Sequence, residues 1–152
     1  MVQERFLVKS TGDNPDGVRH GLIKIIELLA LFQSAVIVVP NLKNLKDTLL
    51  ADVLGPELSK KLINERELLF PDGKQLLLCG QHTLKNYRRH DVYLDLWGSK
   101  YSIKDIEALP NCRAIVMVTW LPEDSVEWIR EHQVVTIYDD SLPGKLLVSS
   151  GL

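Results

Sequence analysis

Cysteine is scarce in this chain of 152 residues: Cys79 and Cys112 are the only two. So widely separated a pair forms neither a disulfide framework nor a redox motif, and both are read as reduced structural thiols. An excess of one charge is missing as well. With 18 Lys plus Arg against 20 Asp plus Glu, the net charge of −2 excludes the strong positive balance of an extended nucleic-acid surface. Long apolar runs are also lacking. The strongest, over 21–40, is interrupted by Lys24, Glu27 and Gln33, whereas a membrane span needs about 18 mostly apolar residues. Glu4 and Arg5 precede only a brief apolar stretch, so no secretory leader is expected and a cytoplasmic location is the default.

The motifs that name a chemistry are absent too. There is no complete Walker loop, GxGxxG turn, nucleophile elbow or repeated metal-ligand pair. Cys79, His82, His90 and Asp95 do not have the spacing of a zinc site, so no metal is assigned. Cys79 and His82 as nucleophile and base would lack an orienting third group, and catalytic residues stay unknown. No cofactor is called for.

What the chain does have is a repeated change of hydrophobic period. Short apolar runs at 35–39, 76–79, 92–96, 114–118 and 134–138 alternate with helical patterns. This order predicts one compact α/β domain over 1–152, a three-layer sandwich with a predominantly parallel central sheet. Residues 11–18 and 149–152 are expected to be flexible, the first from its Gly, Pro, Asn and Asp content. The opening segment, 1–10, is expected as a short edge strand, and 145–148 as an edge strand or a tail. The run at 22–32 predicts a helix either enclosed on several sides or carrying a partner-facing surface, since its apolar residues exceed one stripe.

Local patterns refine this outline. Leu42, Leu45, Leu49 and Val53 recur at helical spacing, and Gly55-Pro56 stops that helix before another carrying Leu58, Leu62 and Ile63. Leu84 and Tyr87 mark one side of a short helix. Strict alternation in 91–97 puts Val92, Leu94 and Leu96 on one face and Tyr93, Asp95 and Trp97 on the other. Ser102 is expected as the N-cap of a helix over 101–109, and Asp124 with Glu127 as cap and N3 acid of the next. On that last helix, Val126 and Ile129 are expected in the core with Trp128 on the flank. Asp139-Asp140 reads as a solvated polar exit from the final strand.

Parallel sheets form ligand crevices beyond their carboxyl ends. That geometry selects Gly80, His82, Asp95, Thr119 and Trp120 as ligand-binding candidates, with Trp97-Gly98-Ser99 as wall and floor of a pocket. Lys85, Arg88 and Arg89 form a candidate anion site for a small acidic ligand; nucleic acid is not expected, since no longer basic and aromatic pattern surrounds them. Trp97, Trp120 and Trp128 are candidate interface anchors. The leading expectation is therefore a nonenzymatic protein-binding or regulatory α/β module, with a homodimer as one form of that contact. The alternative is a small-molecule enzyme or ligand sensor with its pocket at the strand ends.

Overall fold

Apolar runs without polar alternation become strands covered on both faces. β2 (Ser34–Val39), β5 (Val92–Gly98) and β6 (Ala114–Thr119) are buried at every position, and β4 (Gln75–Gly80) at all but its first. The computed structural model describes residues 3–141. The expected features at 145–148 and 149–152 lie outside the described residues.

Three further strands complete the sheet: β1 (Glu4–Lys9), β3 (Glu67–Leu69) and β7 (Val135–Asp139). The seven-stranded order is β3-β4-β2-β5-β6-β1-β7, and every pairing except β3 with β4 is parallel. β1 is therefore interior, held between β6 and β7, and not the expected edge strand. Its Leu7 and Val8 are fully buried, which a sheet edge would not require. β7 takes the edge, partly exposed, and the short β3 forms the other edge unannounced by any apolar run.

Helices cover both faces. On one side lie α1 (Pro15–Leu31), α2 (Asp47–Leu54) and α3 (Pro56–Glu65), whose Ile25, Leu50 and Leu62 pack with Val8, Ile37 and Leu94. On the other lie α4 (Lys100–Glu107), α5 (Val126–Glu131) and a 3-10 turn at Gln81–Asn86, contributing Ile103, Trp128 and Leu84 against Val36, Tyr93 and Met117. Full burial of each large aliphatic side chain contributes about 1.5–3 kcal/mol. The chain is thus an α/β sandwich of three layers. Among the described residues no helix is long and apolar enough to cross a membrane.

The two helical layers follow from topology. Steps from β1 to β2 and from β2 to β4 run one way along the sheet and use the α1 side. Steps from β4 to β5, β5 to β6 and β6 to β7 run the other way and use the α4 side. Reversing direction and face together keeps one hand of crossover throughout. The reversals also leave crevices at the carboxyl ends of the strands, where adjacent connections part to opposite faces.

Local capping departs from the expected pattern in several places. α1 begins at Pro15, with Asn14 Oδ1 accepting from Gly17 N at 3.2 Å, so much of 11–18 is helix and cap. A side chain at Gly21 would meet Val118 Cγ2 at 2.5 Å, so the glycine lets α1 lie close on β6. At its other end Lys74 Nζ donates to the carbonyls of Leu29 and Ala30 at 2.8 and 2.7 Å, answering the negative pole of the helix. The expected helix from Leu42 to Val53 is divided into a 3-10 turn at Leu42–Asn44 and α2, since Leu45 adopts extended backbone.

On the opposite face, Ser99 and not Ser102 is the N-cap of α4: its Oγ accepts from the N–H groups of Tyr101 and Ser102. Asp124 lies inside a 3-10 turn at Pro122–Ser125 and caps nothing with its side chain. Because that turn displaces the helical phase, α5 presents Trp128 to the core, while Val126 and Ile129 are exposed.

Candidate functional site

The site is built around one extra residue in β5. Leu96 pairs with Val118 and Gly98 with Thr119, so Trp97 is a bulge, and its φ of 56° lies in the left-handed region. Such a backbone costs a non-glycine residue about 1–2 kcal/mol. The bulge breaks the alternation expected for 91–97. Tyr93 remains on the α4 side, but Trp97 turns to the α1 side and packs with Leu94 and Leu96.

There Trp97 meets Trp120 edge to face, with ring centroids 6.3 Å apart and planes at 87°. Together with Pro40, Gln81, Ser99 and Leu121 the two indoles line a cleft of about 340 Å³. Pro40, Gln81, Ser99 and Trp120 follow β2, β4, β5 and β6 directly, and Trp97 lies at the end of β5, so four neighbouring strand ends supply one concave wall. Gly98 also lines it, so all of Trp97-Gly98-Ser99 borders the cleft.

Asp95 lies beneath this wall. It is fully buried, not solvated, and its Oδ2 accepts from Ser102 Oγ at 2.8 Å. Its Oδ1 has no partner, and neither has Trp97 Nε1. Burial pushes the Asp95 carboxyl up to about 7; the Ser102 hydrogen bond opposes this and the charge of Asp105 adds to it. A carboxyl whose protonated form is favoured by burial thus sits under the aromatic wall.

A second cleft of about 330 Å³ adjoins the first through Gln81. It contains His82, Lys85 and Arg88, with Asp105 facing them from α4. His82 and Lys85 fall together because, in the 3-10 turn of Gln81–Asn86, side chains three apart lie one above another. Leu84 and Tyr87 share one edge and pack inward; His82 and Lys85 share the next, which Arg88 continues just past the turn. Arg89 falls off that edge. It lines a separate cleft at the amino ends of the strands, with Gln3, Asp91 and Cys112, so the expected cationic trio is a pair plus His82.

The other candidate ligand residues are placed as floor or framework. Gly80 is buried beside the His82 ring. Thr119 is fully buried, and its Oγ1 accepts from Ser10 N at 3.0 Å and donates to Ser10 O at 2.7 Å, so the hydroxyl ties β6 to β1 and faces no ligand. Of the five, Trp120 lines the first cleft and His82 the second. Ser99 borders the cleft as the expected pocket wall, whereas Gln81 and Pro40 are additional lining residues. Gln81 lies between the candidates Gly80 and His82, which is the signal that could have found it; nothing in the sequence brings Pro40 there.

As interface anchors, the three tryptophans divide. Trp97 and Trp128 are 8% and 4% exposed, too little to anchor a partner chain, although the Trp97 edge borders the cleft; Trp120 is 45% exposed. Trp128 Nε1 donates to Glu107 Oε2 at 2.6 Å, and Arg5 Nε donates to the same oxygen at 2.7 Å. Asp140 is not a free polar exit either: its Oδ2 accepts from Thr11 N at 2.7 Å and Asn14 Nδ2 at 3.1 Å, bracing the β1–α1 connection.

Two other reactive pairs resolve into framework. Burial pushes the Cys79 thiol up to about 12, which keeps it protonated, while His82 stands exposed. Ser34 Oγ lies 3.1 Å from His90 Nδ1, but Asp91 Oδ2 accepts from the backbone of Gln33 and Ser34 and does not orient the imidazole. Among the described residues no three His, Cys, Asp or Glu side chains gather as a metal-binding group. No protein-family model matches this chain, and no curated protein matches it in sequence.

Proposed function

We propose that this chain is a small-molecule-binding α/β domain whose ligand occupies the cleft walled by Trp97 and Trp120. The observation that carries this reading is the convergence of four strand exits on one concave surface. The walls are aromatic and aliphatic, while Gln81, Ser99 and Asp124 supply a few hydrogen-bonding groups, the usual composition of a recognition site. The wall stands on fully buried strands, which hold it in place without a ligand.

Indole resonances provide the test. A titration of the protein with planar heterocyclic fragments, followed by 1H–15N correlation spectra, should shift the Trp97 and Trp120 Nε1–H signals. Trp128, on the opposite face and bonded to Glu107, should stay put. Trp-to-Phe substitutions assign the three signals. Shifts confined to Trp128, or none across the fragment set, would overturn the proposal.

A second reading, contact with another protein chain or with a second copy of this one, is favoured by one feature. An open apolar groove of about 690 Å³ runs between α1, α2, α3 and the β3–β4 turn, lined by Ile26, Leu29, Val53, Leu58 and Phe70. Light scattering over a concentration series would show a stable dimer if the groove pairs with itself.

A further inference from the structure

The two clefts meet at Gln81, and their linings are chemically opposite: one is aromatic, the other cationic. We infer that the ligand is a planar ring carrying a phosphate, its ring against Trp97 and Trp120 and its phosphate over Lys85 and Arg88. This rests on the reading of the Trp97–Trp120 cleft as a small-molecule site.

Three observations favour the ring and phosphate together. Trp120 is the exposed member of the tryptophan pair and leaves part of its indole open to stacking, a contact that tolerates any base. Lys85 and Arg88 have no hydrogen bond or ion pair to another side chain among the described residues, so both charges are available to an anion. Lys85 from the turn and Arg88 just after it line the same cleft, which offers a compact ammonium and a planar guanidinium fork to one ligand. Phosphate, with several acceptor oxygens, suits that combination. Asp105 sits across the same cleft and opposes the anion, so its charge moderates binding.

Each cleft alone is near the lower end of the volumes that enclose small ligands, roughly 300–1,000 Å³. A ligand bridging both gains contacts that neither nucleoside nor phosphate obtains alone. The structure therefore points to a nucleoside monophosphate class and away from an unsubstituted ring.

The test uses the full chain at low salt, with binding of the four ribonucleoside monophosphates, their parent nucleosides and inorganic phosphate followed by calorimetry. At least one monophosphate should bind about tenfold or more tighter than its nucleoside and than phosphate. Lys85→Ala combined with Arg88→Ala should bring that monophosphate down to the level of its nucleoside and leave the nucleoside unaffected. Trp120→Ala should weaken both, and Asp105→Asn should tighten only the monophosphate. All four positions are exposed, and circular dichroism of each variant checks that the fold is retained.

Equal binding of nucleoside and monophosphate would overturn the inference and leave the aromatic cleft standing as a binding site. So would an absence of nucleotide binding in a protein whose Trp97 and Trp120 signals respond to other planar fragments. Phosphate binding as tightly as any nucleotide, indifferent to Trp120, would overturn it in favour of a simple anion site. Silence of those indoles toward every fragment would remove the underlying reading as well.

Discussion

The carboxyl of Asp95 fills the space that a side chain at Gly98 would need: a Cβ built there would stand 2.1 Å from Asp95 Oδ2 and 2.4 Å from Cγ. The glycine at the end of β5 and the buried acid three residues earlier are thus two halves of one packing decision. Ser102 on α4 closes the arrangement by donating to the same carboxyl oxygen. Gly98 also lines the cleft beside Trp97 and Trp120, so this packing pair underlies part of its wall.

Gly98→Ala should therefore destabilise the fold by about 1–3 kcal/mol through overpacking. Removing the obstruction in the double variant Gly98→Ala with Asp95→Ala should cost less than the two single changes added together. Urea unfolding of all four proteins checks the cycle, and strict additivity would show that the carboxyl moves aside freely.

Asp95 should also give the stability a pH dependence of identifiable sign. Its folded pKa, about 7, is raised above the ordinary 3.8, so between these values the native state holds a proton that the unfolded chain has lost. The stability this confers is complete below about 4 and is lost as pH rises through about 7. The difference across that window is on the order of 4 kcal/mol. Asp95→Asn should flatten it and leave the variant more stable than the parent at pH 8, measured by urea unfolding from pH 4 to 9. A parent and variant with parallel pH profiles would show that Asp95 does not titrate in this range.

Glu107 behaves in the opposite sense. Burial disfavours its charge, but hydrogen bonds from Arg5 and Trp128 outweigh that effect and hold its pKa below the usual carboxylate value. Its stabilisation is present above the unfolded pKa, about 4.3, and is lost as pH falls through the lower folded value. Glu107→Gln should cost about 2 kcal/mol at pH 7, because it leaves Arg5 without its anionic partner. The acid limb of the unfolding profile should become shallower, and the Trp128 indole signal should move.

Parts of the site could be read along the chain because their causes are local. Strand exits follow directly from where apolar runs stop, which placed Trp120 and Trp97-Gly98-Ser99 at the sheet end. The meeting of His82, Lys85 and Arg88 was less legible, because a turn of period 3.0 and a helix of period 3.6 share the same residues over so short a stretch. Misreading the period grouped Arg89 with the wrong neighbours. At Trp97 a single bulge was enough to send the side chain to the other face, since strand alternation has a period of two.

The sequence by itself determined the alternation of buried strands with amphipathic helices, hence an α/β sandwich with a largely parallel sheet. Hydrophobic period is a property of neighbouring residues and survives without knowledge of the fold. Only the tertiary structure decided that β1 lies between β6 and β7, that Asp95 is enclosed, and that an aromatic and a cationic cleft share Gln81. These relations join residues far apart in the chain. They depend on strand order and on the register of β5 against β6, which pair through backbone groups that every residue carries alike.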